Sequence, residues 1–155
     1  MAPRLVDPLE RLGKHGFGHT EVMHIIGIGI DATDIPRIEK SIARFGDRFL
    51  HRVFTDGEIA HCSAKHHSSP SYAARFAAKE AAMKALGTGY AQGVVWKDIE
   101  VIRGGGPPRL EFHGGARRRF VRLGATSSLL TITHSDTLAI AQVMLLGAGA
   151  QDGSE

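Results

Sequence analysis

The stretch over residues 71–86 constrains this chain most. It is rich in alanine, has no internal glycine or proline, and is closed by Gly87. Alanine has the highest helix propensity and glycine is the usual residue just past a helix end, so the pattern predicts a long helix. On that helix Glu80 and Lys84 stand four residues apart and share a face, with Arg75 and Lys79 nearby. Such a face suits a metal-bound phosphate. Taken alone, Glu80 followed by Lys84 is also the pattern of a solvated surface pair worth a few tenths of a kcal/mol.

Upstream, the apolar run over residues 24–30 predicts a buried strand that delivers the carboxylate of Asp31 to an edge. Asp31 by itself reads as a turn or capping acid. Asp34 and Pro36 then open a helix, the acid as its cap and the proline in its first turn. Ile35, Ile38, Ile42 and Phe45 recur at three- and four-residue steps as its apolar stripe, and Gly46 ends it. Arg37, Lys40, Arg44 and Arg48 fall on the opposite side, a pattern that in most proteins is only a solvated face. Gly27-Ile28-Gly29-Ile30-Asp31-Ala32 imitates the G-x-G-x-x-A dinucleotide fingerprint. Its context is wrong: a Rossmann unit needs its helix to start within the glycine turn and a second parallel strand ending in an acid about 20 residues on. Here Pro36 sets the helix entry late, and residues 45–54 are charged and helical in pattern.

Thr55-Asp56-Gly57-Glu58 is a capping box for a helix running toward Lys65, and residues 66–70 read as a loop. After Trp96, the runs 99–102 and 110–112 flank a loop of glycine and proline, as in a hairpin, and residues 114–124 form a short basic helix. Residues 129–133 and 138–145 read as two strands paired around Ser135 and Asp136. Helices gather in the first half and strands form a small antiparallel sheet, an α+β pattern in one domain over residues 23–147. Residues 1–22 lack periodicity and are read as a loosely held, dispensable extension, with Met23 as an alternative start, and residues 148–155 as a tail. The sequence shows no repeat and no low-complexity tract.

A chain of 155 residues can bury one core without staples. The lone Cys62 cannot form an internal disulfide, which fits a reducing cytoplasm. The pI near 9.3 and the arginine clusters favour a negatively charged partner, whether nucleic acid, phosphate or an acidic protein. Nucleic acid fits poorly, because an aromatic share of 6% offers no base-stacking platform and no recognition helix is visible. No apolar stretch approaches the roughly 18 residues of a spanning helix, so a soluble protein with no membrane partner is expected. His61, Cys62, His66 and His67 suggest zinc but lack convincing ligand spacing. The basic run Arg117, Arg118, Arg119 and Arg122 is read as surface.

Gly29-Ile30-Asp31 with Asp34, then Arg75-Phe76-Ala77-Ala78-Lys79-Glu80-Ala81, Gly87-Thr88-Gly89 and Thr131-Ile132-Thr133-His134-Ser135 occur in this order. Together they resemble the holo-[acyl-carrier-protein] synthases, the small bacterial phosphopantetheinyl transferases. The resemblance runs over residues 23–147. It implies transfer of 4′-phosphopantetheine from coenzyme A to a serine of apo acyl carrier protein, a step of fatty acid biosynthesis that leaves adenosine 3′,5′-bisphosphate. Asp31 and Glu80 match the family's Mg²⁺ ligands, and Mg²⁺ is commonly held by one or two carboxylates plus substrate phosphate. With Lys84 they form the implied catalytic set. Arg75, Lys79, Lys84, the Gly87-Thr88-Gly89 loop and His134 are the implied coenzyme A contacts, although His134 serves equally well as a structural, hydrogen-bonded histidine. The base that takes the serine proton, a metal-held water or Glu80, stays open.

By the same resemblance the first helix receives the acidic carrier helix, with Arg37 the best match and Lys40, Arg44 and Arg48 beside it. A homotrimer with sites at subunit boundaries is also implied, and the sequence permits it. Two other classes compete: a catalytically silent carrier-binding module, disfavoured by the presence of both acids, and a basic nucleic-acid-binding domain.

Overall fold

The computed structural model describes residues 22–148, so the expectations for the extension and the tail lie almost wholly outside the described residues. In chain order the elements are β1 (His24–Asp34), α1 (Ile35–Phe45), α2 (Asp47–Val53), α3 (Asp56–Ser63) and α4 (Ser69–Leu86). A 3₁₀ turn (Trp96–Asp98), β2 (Ile99–Ile102), β3 (Arg109–Phe112), α5 (Gly114–Arg122), β4 (Ala125–His134) and β5 (Leu138–Gly147) follow. The α+β expectation holds, with two antiparallel sheets: β1-β5-β4 and the hairpin β2-β3. The hairpin pairs Glu100 with Glu111, and the larger sheet pairs Ile28 with Met144 and Met144 with Leu129.

α4 is the spine, as its composition predicts. It lies on the inner face of the three-stranded sheet, and Ala77, Ala78, Ala81, Ala82, Met83, Ala85 and Leu86 pack with Ile99, Phe120, Val143 and Leu145 in one buried cluster. A second cluster joins Ile35, Ile38, Val53, Phe54, Cys62 and Tyr72 under the short helices. The glycines that imitate a dinucleotide fingerprint have a packing purpose instead. A Cβ on Gly27 or Gly29 would overlap the carbonyl oxygens of Ala85 and Ala81 respectively, so β1 and α4 come together only because glycine faces alanine.

β1 departs from expectation in two ways. It runs through Asp34, which places Asp31 within the strand rather than after it. It is also an edge strand, not one buried on both faces: Ile25, Ile28 and Ile30 are 62%, 56% and 59% exposed, and Leu129 on β4 is 58% exposed. The reason is the two-residue period of a strand, which turns Gly27 and Gly29 to α4 and Ile28 and Ile30 away from it, while a register irregularity between Ile25 and Gly27 offsets the period so that Ile25 is exposed and Ile26 packs inward.

Pro36 lies in the first turn of α1 as expected, but the side chain of Asp34 makes no capping hydrogen bond. Gly46, at φ 53°, ends α1, and its amide donates to the carbonyl of Ile42 at 2.8 Å. The positive φ redirects the chain, so Arg48 belongs to α2 and not to the helix that carries Arg37, Lys40 and Arg44. Phe45, the last residue of α1, is 49% exposed, so the buried part of the stripe is Ile35 and Ile38 with Ile42 partly buried. The capping box of α3 is complete, with Glu58 N donating to Thr55 Oγ1 at 3.3 Å and Thr55 N to Glu58 Oε2 at 2.9 Å.

Candidate active site

β1 and α4 bring the two acids together. Asp31 follows the strand period onto the α4 side, and Asp31 and Glu80 line one cavity of about 510 Å³ with Arg37, Ser41, Trp96 and Leu138. Asp31 Oδ1 meets Lys84 Nζ at 3.1 Å, while Asp31 Oδ2 accepts from Thr33 Oγ1 at 2.8 Å. Lys84 Nζ also donates to the carbonyl of Ile30 at 2.8 Å. Glu80 Oε1 accepts from the indole Nε1 of Trp96 at 2.7 Å, and Glu80 Oε2 has no protein hydrogen bond among the described residues. Two hard carboxylates that line one cavity, one with an oxygen free of protein hydrogen bonds among the described residues, are a donor set that fits Mg²⁺. Lys84 is a half-exposed ammonium already paired to one of the acids.

The Gly87-Thr88-Gly89 loop caps α4. Gly87 takes the left-handed conformation at φ 73°, and Thr88 is buried, its amide donating to the carbonyl of Met83 at 3.2 Å. Gly89, at φ 54°, turns the chain toward Tyr90, whose ring stacks on Trp96 at 4.1 Å between centroids.

A second cavity, of about 410 Å³, is basic. Arg75 and His134 line it together with Lys65, His67 and Arg103, and none of its lining residues belongs to the acidic cavity. Arg75 is only 4% exposed; its Nη1 donates to Ser71 Oγ at 2.9 Å, and its Nε is buried without a partner. His61, behind Arg75, has its pKa lowered by burial and then by the guanidinium charge. His134 ends β4, exposed, with Nδ1 3.3 Å from the carbonyl oxygen of Ser135.

Lys79, an implied coenzyme A contact by resemblance, lies inside the core and not on the face of Glu80 and Lys84: it is fully buried, its Nζ 2.8 Å from Glu58 Oε2 and donating to the carbonyls of Trp96 at 3.1 Å and Ile99 at 2.5 Å. Burial lowers its pKa from the ordinary lysine value, and the Glu58 carboxylate opposes that shift. Glu58 also accepts from Val101 N at 2.8 Å, so the pair ties α3, α4 and β2 into one unit. Residues 79 and 80 are neighbours in sequence, and the 100° step of a helix sends one inward and the other to the cavity.

Sequence reasoning also missed Trp96, Lys65, His67 and Arg103. Tertiary folding alone brings the latter three to Arg75, whereas the single tryptophan in a chain poor in aromatics was a usable signal. Away from both cavities, ligand atoms of Glu100, Glu111 and His113 lie within 4.8 Å of one another. There Glu100 Oε1 accepts from Thr55 Oγ1 and Oε2 lies 3.0 Å from His113 Nε2, the arrangement of a hairpin ion pair. Cys62 is a buried thiol, its pKa raised by burial. Among the described residues, no helix is long and apolar enough to cross a membrane.

Residues 27–142 match the family model of the 4′-phosphopantetheinyl transferase superfamily. The chain is 50% identical over 122 residues to the holo-[acyl-carrier-protein] synthase of Koribacter versatilis, covering 78% of this chain and 98% of that protein. It is 53% identical over 126 residues to that of Methylorubrum extorquens strain PA1, covering 78% and 93%. Among solved structures, holo-[acyl-carrier-protein] synthase from Neisseria meningitidis superposes with a TM-score of 0.73 at 28% identity, covering 79% of this chain and 98% of that one. The Helicobacter pylori enzyme in complex with coenzyme A gives 0.67 at 34% identity, covering 76% and 98%. With the family model matched over residues 27–142 and the fold matched over nearly the whole length of these relatives, the chain belongs to the 4′-phosphopantetheinyl transferase superfamily, among the holo-[acyl-carrier-protein] synthases.

Proposed function

We propose that this chain transfers the 4′-phosphopantetheine group of coenzyme A to a serine of apo acyl carrier protein. The observation that carries the reading is the acidic cavity, in which Asp31 and Glu80 converge with Lys84 at the rim, in a chain of this family. The serine oxygen bonds to the phosphorus that bears the pantetheine arm, the bond from that phosphorus to the bridging oxygen of the pyrophosphate breaks, and adenosine 3′,5′-bisphosphate leaves with the electron pair. The serine proton passes to a base. Mg²⁺, held by Asp31 and Glu80, would neutralise charge on the phosphate oxygens. Lys84 adds a point charge beside them, a contribution that matters most in the transition state.

Arg75 and His134, with Lys65 and Arg103, offer the remaining phosphate a basic pocket in which the free Nε of Arg75 is an unused donor. The Gly87-Thr88-Gly89 loop is proposed as a further coenzyme A contact, with glycine's permissiveness and backbone amides in support. Incubation with apo carrier, coenzyme A and Mg²⁺ tests the reading: the carrier gains the mass of one phosphopantetheine. A carrier that binds without gaining mass would mark a silent docking module. A cytoplasmic setting fits the free Cys62 thiol.

The separation of the two cavities supports a shared site. A ligand that touches Glu80 and Arg75 at once is served best when the cavities come from adjacent chains, and the open face of the sheet, with Ile28, Ile30 and Leu129, offers the apolar surface for association. We therefore propose a homotrimer. Light scattering should return three times the 16.7 kDa chain mass, and a fully active monomer would end this claim.

Docking of the carrier is proposed on the exposed basic residues of α1 and α2. Arg37 lines the mouth of the acidic cavity, Lys40 and Arg44 continue along α1, and Arg48 extends the surface from α2. Arg37→Glu should raise the carrier KM by about tenfold, the equivalent of about 1.4 kcal/mol, and leave the coenzyme A KM within about twofold. Salt should weaken carrier binding to the wild type in the same direction. An unchanged carrier KM would reduce the patch to solvated charge.

A further inference from the structure

Trp96 touches the acid that matters most and is itself held from two sides. Its indole Nε1 donates to Glu80 Oε1 at 2.7 Å. Its ring is stacked on Tyr90 at 4.1 Å between centroids and lies 6.0 Å from Phe76. Its backbone carbonyl accepts from Lys79 Nζ at 3.1 Å, and Lys79 is locked by Glu58 at the bottom of the core. A glutamate has three side-chain torsions, and a ligand that must itself fix them loses affinity to the ordering. Here the ordering is built in: one carboxylate oxygen of this cavity-lining residue is engaged by the indole, and the other, Oε2, has no protein hydrogen bond among the described residues.

From this geometry we infer that Trp96 is a positioning residue for the metal site, its indole N–H holding Glu80 in the orientation that binds the divalent cation. This rests on the reading of Asp31 and Glu80 as metal ligands. Hydrogen-bond partners of ligating carboxylates characteristically change metal affinity by about 10- to 100-fold when removed. The buried Lys79–Glu58 pair then acts on the site at one remove, because it anchors the carbonyl of the residue that carries the indole.

The experiment uses Mn²⁺ as the probe, with the full-length protein and no carrier present. Calorimetric titration of wild type, Trp96→Phe and Glu80→Ala compares metal affinities directly, and melting temperatures of the three are recorded alongside. Phenylalanine keeps a ring against Tyr90 and Phe76 but has no N–H. The expected result is a Kd for Mn²⁺ raised about tenfold or more in Trp96→Phe, at a melting temperature within a few degrees of wild type, and binding lost in Glu80→Ala.

Binding lost in Glu80→Ala but unchanged in Trp96→Phe overturns the positioning role and leaves the metal site standing. Equal binding in all three overturns the metal site and the inference with it. A second measurement needs no change at position 96. Trp96 is the only tryptophan of the chain, so its emission reports this contact alone. The emission of the metal-free protein should change on Glu80→Ala, and Mn²⁺ should quench wild-type emission with the midpoint found by calorimetry. Emission indifferent to both also overturns the inference.

Discussion

Glu80→Ala and Asp31→Ala are each expected to lower Mg²⁺-dependent transfer by at least about a hundredfold while leaving the fold intact. The two carboxylates face one cavity, and each offers oxygen to the same region: Glu80 through its free Oε2, Asp31 beside Lys84. Removal of a single preorganised oxyanion-hole donor costs about 2.7–4 kcal/mol of transition-state stabilisation, and loss of a ligand to the ion that would neutralise the phosphate is expected to cost on the same order. Neither side chain fills the core. Asp31→Ala releases Lys84, whose half-exposed ammonium can rebond to water, and leaves one buried hydroxyl, that of Thr33, without its acceptor, so a fall in melting temperature of only a few degrees should accompany the loss of activity. The checks are the mass of the carrier after a fixed incubation and a thermal melt of the same sample. Wild-type rates in either variant would remove the acids from the mechanism.

The largest stability effect is expected at Lys79. Lys79→Met removes one half of a fully buried ion pair and leaves the Glu58 carboxylate inside the core with only its amide donors, Thr55 N and Val101 N. Breaking such a pair from one side costs about 3–5 kcal/mol, because the remaining charge cannot reach water. The carbonyls of Trp96 and Ile99 lose their shared donor in the same substitution. The double variant Glu58→Gln/Lys79→Met should recover part of the loss, since it carries no buried charge and glutamine can still accept from Val101. Denaturant unfolding at one fixed protein concentration is the measurement, as association would otherwise move the midpoint. A loss below about 1 kcal/mol in Lys79→Met would show that the pair contributes little.

Lys79 and Glu80 also mark the limit of what periodicity can say. Their helix was legible from alanine content and Gly87, and the acid pair from local motif, yet nothing in the pattern separated a lysine that meets phosphate from one that meets Glu58. That choice depends on α3, whose capping box at Thr55 was readable but whose docking was not. Arg48 is a similar case. Gly46 was recognised as a helix end, but the positive φ that sends Arg48 onto a new helix is a property of the folded turn. The fingerprint of Gly27 and Gly29 shows the reverse: the sequence context set aside a Rossmann unit, β1 pairs antiparallel with β5 where such a unit needs a parallel partner, and the structure supplied the reason for the glycines in the carbonyls of Ala81 and Ala85.

By itself the sequence determined the elements and their order, the α+β class and the family, because these rest on local propensity, strand and helix periods and short motifs. Only the tertiary structure decided that Arg75 and His134 open to a different cavity from Asp31 and Glu80, that Lys79 is structural, and that Trp96 holds Glu80. Those outcomes depend on contacts between residues far apart in the chain, set by how closely α4 can approach the sheet and which way each turn of the helix faces once it is there.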